Sequence, residues 1–240
     1  MKKTSLALSL LALMSTGSVQ AAEWGYSGQH GPAYWGNVSS TCADGKNQSP
    51  IDISGAVDAD LKDLEITYQG NVTALTNNGH TLQAEVSGDN TLSLDGTTYK
   101  LLQFHFHTPS ENLIRGKQYP LEAHFVHADR SGNLAVLAVM FDNGAENPQM
   151  TQLTDTLPGK GESVKLNPSF PVASLLPKLA HYYRFNGSLT TPPCSEGVRW
   201  LVVKQPQQLA GEQTQQLMDV MGHNNRPVQA KNARVVLKND

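Results

Sequence analysis

Two segments with histidines at alternate positions constrain this chain more than any other feature. Gln103–His107 carries His105 and His107, and Glu122–His127 carries His124, 17 residues after His107. Successive side chains of a β-strand point to opposite faces, so residues two apart share a face and lie about 6.6 Å apart along the strand. An antiparallel neighbour about 4.8 Å away can present His124 beside the first two histidines. The pattern therefore predicts two paired strands that aim three imidazoles at one metal ion.

The residues around these histidines support a metal site with one open position. Three neutral imidazoles with no fourth protein ligand leave a coordination position free, which for zinc distinguishes a catalytic site from a structural one. Gln103 and Glu122 each lie two residues before a proposed ligand, and each can accept a hydrogen bond from the far nitrogen of a histidine. The spacing does not decide which partner serves which histidine. His127 points away from the face of His124, so we expect it to be a structural histidine.

The amino terminus has the pattern of a secretory signal. Two lysines precede an apolar run at residues 6–14, and residues 19–21 include small side chains of the kind that signal peptidases accept. The run is far shorter than the roughly 20 residues that a membrane-spanning helix needs. We therefore predict that residues 1–21 are a cleaved signal peptide and that residues 22–240 form one exported domain.

Charge and cysteine content narrow the class of protein further. The net charge of −3 becomes −5 when the two lysines of the leader are removed, which gives no support for nucleic acid or an anionic membrane as a partner. No segment after the leader is long and apolar enough to cross a membrane. The only two cysteines are Cys42 and Cys194, and in an oxidising compartment a disulfide between them is the default expectation. Two free or metal-binding thiols are the alternative.

Short apolar or alternating runs, separated by Gly, Asn and Asp, predict a large β-sheet. Residues 134–141 are apolar on both faces, so we expect a central strand that is covered on both sides. Residues 211–221 have helical periodicity and predict a surface helix. The fold class is thus mainly β (α+β), a single domain built on a large, twisted, mostly antiparallel sheet with short surface helices. The other predicted strands are residues 64–68, 72–76, 81–86, 91–94, 99–107, 121–128 and 200–204.

Taken together, these motifs resemble those of the α-class carbonic anhydrases, specifically the secreted bacterial members. The resemblance covers nearly the whole mature sequence and follows the order of the family. It implies reversible hydration of carbon dioxide to bicarbonate and a proton, Zn²⁺ as cofactor, a periplasmic location, and a monomer or homodimer. It also matches the proposed bridge between Cys42 and Cys194. The matching motifs are Trp24-Gly25-Tyr26, Gly31-Pro32 with Trp35, Asn47–Ile53, Asn77–His80, Gln103–His107, Ser110-Glu111, Glu122–His127, Leu134–Leu137, Gly187–Pro193 and Asn224–Pro227.

The resemblance implies a catalytic role for residues at matching positions. His105, His107 and His124 would bind zinc, with Gln103 and Glu122 holding the histidines in place. Attack by zinc-bound hydroxide would depend on Thr190, which would accept a hydrogen bond from the hydroxide and donate its own proton to Glu111. His80 would be the proton shuttle at the rim of the cavity.

The remaining implied roles concern the substrate and the path of the proton. Thr191 would line the polar side of the pocket, and the backbone N–H of Thr190 would face bicarbonate. Tyr26, Asn78 and Gln83 would order the water chain that reaches His80. Five side chains would form an apolar wall against which carbon dioxide rests, namely Val126, Val136, Leu189, Val198 and Trp200.

Two other functions compete with this one. His105 and His107 followed by Glu111 also fit the histidine and glutamate set of a cupin-like metal oxygenase, which holds iron or manganese. Cupins usually place glycine where this chain has Tyr99 and Gln118, which argues against that class. The non-enzymatic alternative is a catalytically inactive exported protein of the same fold that binds zinc or another ligand. Such proteins usually lack at least one ligand histidine, and all three are present here.

Overall fold

Strands dominate the fold, as the alternating sequence pattern predicts. The computed structural model describes residues 23–239, so the predicted signal peptide at residues 1–21 lies outside the described residues. Within that range, 13 strands form one sheet and two short strands form another. In chain order the strands are β1 Asp52–Ile53, β2 Val57–Asp58, β3 Glu65–Tyr68, β4 Asn71–Asn77, β5 Leu82–Val86, β6 Asn90–Leu94, β7 Thr97–His107, β8 Leu113–Ile114, β9 Leu121–Ala128, β10 Leu134–Asn143, β11 Ser163–Pro171, β12 Tyr182–Ser188, β13 Glu196–Val203, β14 Gln207–Leu209 and β15 Leu237–Lys238.

The helices are short: α1 precedes the first strand, and α2 and α3 lie between strands. Helix α2 begins where the side chain of Asn147 accepts hydrogen bonds from two backbone N–H groups, with Pro148 in the first helical position. Helix α3 has the bounds that its periodicity predicts. None of the helices within residues 23–239 is long and apolar enough to cross a bilayer. The helices are α1 Thr41–Asp44, α2 Pro148–Thr154 and α3 Gly211–Met221, with 3₁₀ turns at Gly28–His30, Pro32–Asn37 and Val172–Leu175.

The large sheet is mostly antiparallel, as predicted, with a few parallel pairs. Its main order is β11-β4-β5-β7-β9-β10-β13-β12-β15-β2, and β3, β6 and β14 pair off this path. The exceptions to antiparallel pairing in this sheet are β10 with β13, β10 with β14 and β15 with β2. All eight predicted strands are present, with bounds that differ by a few residues. The sequence pattern missed β11, β12 and the shorter strands β1, β2, β8, β14 and β15. Strand β11 is mostly exposed, so it has no apolar face to signal it.

The predicted central strand is confirmed, because β10 is buried along most of its length and separates two cores. Alternate residues from Ala135 to Phe141 belong to the larger core, and the residues between them belong to a smaller core on the other face. Ala138 pairs with His124, whereas Ala135 pairs with His127. The two histidines of β9 therefore lie on opposite faces, with His124 on the face of the smaller core.

The predicted disulfide is confirmed. Cys42 in α1 is bonded to Cys194, which lies just after β12, with 5.1 Å between the Cα atoms. The loop that carries Thr190 is thereby joined to the amino-terminal part of the chain. The Ser49–Pro50, Thr108–Pro109, Asn167–Pro168 and Pro192–Pro193 bonds are cis.

Candidate metal centre

The pairing of β7 with β9 brings the three predicted ligands together. His105 lies directly opposite His124, and His107 follows on the same face of β7. Each residue offers one ligand atom, and these three atoms lie within 4.8 Å of one another. His107 and His124 are fully buried, and His105 is partly exposed. In the described part of the chain this is the one group of His, Cys, Asp or Glu residues close enough to share an ion.

One nitrogen of each ring lies within 3.0 Å of a protein acceptor, which leaves the other nitrogen for a metal. His105 Nδ1 lies 2.9 Å from Gln103 Oε1, and His107 Nδ1 lies 2.7 Å from the backbone oxygen of Asn224. His124 Nε2 lies 3.0 Å from Glu122 Oε1, although the angle departs from that of a linear hydrogen bond. The free atoms are therefore Nε2 of His105 and His107, and Nδ1 of His124.

These contacts decide which polar residue is the acceptor for which histidine, a point that the spacing left open. Gln103 and Glu122 each contact the histidine that follows them by two residues on the same strand. Asn224 was not anticipated as a partner, because it acts through a backbone oxygen and is 117 residues away in the chain. No side-chain pattern could have indicated it, since every residue type carries that oxygen.

The protonation state of the ligands suits a cation. Burial is the main cause that lowers the pKa of His105, well below its usual value, and that of His107, so both rings are neutral at pH 7. Neutral imidazole is the form that binds a metal. The free Nε2 of His107 has no hydrogen-bond partner among residues 23–239, and a buried polar atom left unsatisfied costs free energy. Three histidine nitrogens and an unsatisfied site fit Zn²⁺.

Glu122 is a buried carboxylate whose hydrogen bonds are satisfied. Its oxygens accept from the backbone N–H of Glu111 at 2.7 Å, and from the backbone and side-chain amides of Asn112 at 2.9 and 2.7 Å. Burial alone raises the pKa of Glu122, but His124 and Asn112 together hold it below its usual value. Glu122 therefore stays ionised and can fix the ring of His124.

Glu111 lies beside the metal ligands and close to Thr190, as the resemblance implies. Its Oε1 accepts a hydrogen bond of 2.8 Å from the backbone N–H of Arg226, and its Oε2 lies 3.5 Å from His107 Nε2. Burial raises the pKa of Glu111 to about 7, opposed by His124, by the Arg226 N–H and by the Thr190 hydroxyl. Oε2 has no donor with full hydrogen-bond geometry within residues 23–239, so it has a free acceptor position. The hydrogen bond from the Arg226 N–H to Glu111 was not anticipated from the sequence, because a backbone N–H, like the backbone oxygen of Asn224, is not marked by residue type.

The residues predicted to form the apolar wall pack into one cluster. Val136 pairs with Val126 on β9 and with Trp200 on β13. The Trp200 ring meets the His124 ring edge-on, with 4.9 Å between the centroids. A nonpolar surface therefore adjoins the histidines. Its members are Val126, Val136, Val198 and Trp200, with Leu189 packed against them. Thr190 is buried beside this surface and Thr191 is partly exposed.

His80 is half-buried in a cavity of about 970 Å³. Its ring stacks on Trp24, with 3.9 Å between centroids and 10° between planes. Burial and then the charge of Lys160 lower the pKa of His80, whereas Glu23 raises it. Tyr26 lines the same cavity. The structure therefore places His80 where solvent reaches it, in contact with aromatic side chains.

The other two residues of the predicted proton path occupy different positions. Asn78 lines the cavity of His80, and its side-chain oxygen accepts from the backbone N–H groups of His80 and Thr81 at 3.0 Å each. Gln83 on β5 pairs with His105 on β7, so it lies next to the metal ligands rather than next to His80. Asn78 therefore lies at the cavity of His80, whereas Gln83 lies opposite a metal ligand.

His127 lies outside the site. Its Nε2 is 2.7 Å from the hydroxyl of Tyr68, and its Nδ1 is 3.2 Å from the backbone oxygen of Ala135. Burial lowers the pKa of His127 to about 4. Both ring nitrogens are therefore engaged on the core face of β9, as the alternation predicts.

Comparison with known proteins repeatedly finds carbonic anhydrases. The profile of the eukaryotic-type carbonic anhydrase family matches residues 30–240. A carbonic anhydrase of Pectobacterium carotovorum is 46% identical over 240 residues, covering 98% of this chain and 98% of that protein. A carbonic anhydrase of Neisseria gonorrhoeae is 44% identical over 238 residues, covering 97% of this chain and 94% of that protein. The solved structure of Photobacterium profundum α-carbonic anhydrase is 56% identical with a TM-score of 0.88, and covers 90% of this chain and 100% of that chain.

Proposed function

This chain belongs to the eukaryotic-type, or α-class, carbonic anhydrase family and catalyses the reversible hydration of carbon dioxide, and we propose that Zn²⁺ is its cofactor. The observation that carries the proposal is the buried convergence of three histidine ligand atoms within 4.8 Å. Carbon dioxide is the substrate, and bicarbonate and a proton are the products. The family match favours neither a cupin-like oxygenase nor an inactive binding protein.

His105, His107 and His124 would hold the zinc ion, and no protein thiolate or carboxylate would reduce its charge. When bound, zinc would supply a Lewis acid that makes hydroxide available near neutral pH, its established role in carbonic anhydrases. Gln103, Glu122 and the backbone of Asn224 would keep the rings aimed at the ion. Partners of this kind typically change metal affinity by 10- to 100-fold.

Thr190 and Glu111 would orient the attacking oxygen. When Glu111 is ionised, the form that a zinc ion bound nearby would favour, its carboxylate only accepts hydrogen bonds, so the Thr190 hydroxyl would donate to it and could itself only accept from the reacting group. Such a one-way arrangement aims a lone pair at the carbon of the substrate. The proximity of Thr190 to Glu111 supports this role, and the Arg226 N–H holds the carboxylate in place.

The substrate would rest against the apolar wall, since carbon dioxide has no net dipole and gains little from polar contacts. Val136, Val198 and Trp200 are almost fully buried, and Leu189 is partly exposed above them. The backbone N–H of Thr190 and the hydroxyl of Thr191 would provide the polar side that receives bicarbonate. The contrast between the two sides would help the charged product to leave.

His80 would pass the product proton to buffer. Burial lowers the pKa of His80 from its ordinary value, and a neutral imidazole of this kind can take a proton and release it with a small driving force in either direction. Its partial exposure and its contact with Trp24 support this role. Tyr26, Asn78 and Gln83 would order water between the ligands and His80.

We also propose that the protein is exported to the periplasm after cleavage of residues 1–21, which leaves residues 22–240 as the enzyme. The pattern of the leader supports this proposal. A disulfide between Cys42 and Cys194 supports it too, because such bonds persist in oxidising compartments. Amino-terminal sequencing of protein from a periplasmic extract tests the cleavage site.

The function is tested by stopped-flow hydration with a pH indicator on zinc-loaded protein. We expect one zinc per chain, rapid hydration, and inhibition by a sulfonamide. His124→Ala should lose both zinc and activity, whereas the matched substitution His181→Ala, at an exposed position, should lose neither. Hydration by the zinc-loaded protein no faster than buffer would contradict the proposal, and bound iron in place of zinc would favour the oxygenase.

A further inference from the structure

Asn224 makes hydrogen bonds to the site through its side chain as well as through its backbone contact with His107. It lies in the segment that follows α3, and its side chain is completely buried. Its backbone oxygen accepts from His107 Nδ1 at 2.7 Å, and its backbone N–H donates to the oxygen of Thr108 at 3.2 Å. The backbone contacts alone hold the ligand, and any residue could make them.

The side chain of Asn224 makes a second set of contacts, on both sides of His107. Its Oδ1 accepts from the backbone N–H of Thr108 at 2.7 Å. Its Nδ2 donates to the backbone oxygen of Phe106 at 2.9 Å and to that of His80 at 3.1 Å. One amide group thus joins the strand of the metal ligand to the backbone of the proposed proton acceptor.

The backbone of His80 is held from its other side as well. Its N–H donates to Asn78 Oδ1 at 3.0 Å. The next residue, Thr81, donates from its hydroxyl to the oxygen of Phe106 at 2.6 Å. Phe106 is therefore the common anchor of Thr81 and Asn224, and both bonds tie the loop of His80 to β7.

We propose that Asn224 is a positioning residue that couples His80 to the metal-ligating strand, a role that rests on the proposed function. Proton transfer along a water chain depends steeply on where the acceptor stands, and a misplacement of about 1 Å can cost up to about 100-fold in rate. Only a primary amide offers one acceptor and two donors from a neutral group of this size. Aspartate would lose both donors and add a buried charge, and leucine would lose every polar contact of the side chain.

The test separates proton transfer from the chemical step. Asn224→Ala and the matched control Asn225→Ala, at the adjacent position that takes no part in these bonds, are made in the wild type and in a His80→Ala background. Turnover is measured at low and high buffer concentration, with imidazole rescue, kcat/KM and zinc content alongside. We expect Asn224→Ala to lower kcat at low buffer by roughly threefold to tenfold and to leave kcat/KM and zinc within twofold. Imidazole should restore kcat, and the substitution should add nothing in the His80→Ala background.

Other results overturn the proposal in recognisable ways. If Asn224→Ala also lowers kcat/KM or zinc content, the side chain acts through His107. If the substitution lowers kcat equally in the His80→Ala background, the side chain does not act through His80. If Asn224→Ala does not fold, Asn224→Ser, which keeps a hydroxyl for Thr108, goes through the same assays with the same expectations. Failure of both to fold would assign a purely structural role. If His80→Ala keeps its full turnover at low buffer, the role of His80 itself is overturned. If the wild-type enzyme is inactive, the proposed function is overturned.

Discussion

At the scale of single residues, the histidines of this chain differ chiefly in what surrounds each ring. His107 is buried with one nitrogen bonded and the other free, and burial keeps it neutral. His127 is buried with both nitrogens bonded, so it has no site for a ligand. His80 is half-buried and stacked on Trp24. On the proposed function, the same imidazole would thus serve as a ligand, a core residue or a proton acceptor according to its burial and its partners.

Replacing His80 should slow proton release without affecting the binding of carbon dioxide. We expect His80→Ala to lower kcat at low buffer by roughly tenfold or more, since a positioned proton acceptor contributes at least that much. The value of kcat/KM should stay within twofold, because the chemical step does not use His80. Stopped-flow assays across buffer concentrations measure both quantities, with His181→Ala as a control on the exposed surface. An unchanged kcat at low buffer would remove His80 from the pathway.

His127 should make stability depend on pH on the acid side. Its pKa is about 4 in the folded protein and about 6.5 when unfolded, so the unfolded state binds the proton more readily. The stability that comes from keeping His127 neutral is fully present above pH 6.5. It is lost as the pH falls from 6.5 to 4, and the free energy of unfolding drops by on the order of 3 kcal/mol in all. Urea unfolding at a series of pH values measures it. His127→Gln should show a shallower slope in this window, and an equal slope in both proteins would contradict the assignment.

At the scale of elements, β10 carries much of the architecture because both of its faces are covered. Leu137 points into the larger core, and Val136 points toward the apolar wall. The antiparallel register of β9 with β10 places His124 opposite Ala138, and that of β9 with β7 places it opposite His105. A shift of one residue in either register would send a ligand to the wrong face. The packing of β10 therefore also protects the geometry of the metal centre.

Creating a cavity in the core beside β10 should lower the stability of the protein. We expect Leu137→Ala to lower the free energy of unfolding by about 2–5 kcal/mol, because Leu137 is fully buried and the core can collapse only in part. Leu102→Ala on β7 is a matched control, since Leu102 is 54% exposed and should change stability by no more than about 0.5 kcal/mol. Urea denaturation compares the two. A cost for Leu137→Ala no larger than that of the control would argue against the central place of this strand.

At the scale of the whole molecule, contacts distant in sequence hold the site together. The disulfide joins residues separated by 152 positions, and the guanidinium of Arg226 donates to the backbone oxygens of Cys42 and Ser49. The backbone N–H of Arg226 meanwhile holds Glu111. The amino-terminal segment and the loop of Thr190, joined by the disulfide, are thus tied to Arg226, whose backbone holds the buried carboxylate of Glu111.

Removing the disulfide should lower the stability of the whole domain. Loop-closure entropy gives an upper figure of about 5 kcal/mol for a loop of this length. We expect the double variant Cys42→Ser and Cys194→Ser to unfold at lower urea concentration than the wild type, by up to that amount. A reducing agent should destabilise the wild type and leave the double variant unchanged. Equal midpoints for reduced and oxidised wild type would show that the bond contributes nothing.

The sequence alone determined whatever follows from local periodicity and from side-chain chemistry. Alternation predicted the strands of the sheet, the two faces of β9 and the meeting of His105, His107 and His124, because a residue's position along a strand decides its face. The pattern failed for β11, whose mostly exposed residues have no apolar face to reveal it.

The tertiary structure alone decided the contacts that backbone groups make across long separations. These include the oxygen of Asn224 on His107 and the N–H of Arg226 on Glu111. Every residue carries a backbone N–H or oxygen of the same kind, so no residue type marks these positions in a sequence. Only the folded chain, by bringing distant segments within hydrogen-bond distance, selects which of them take part in the site.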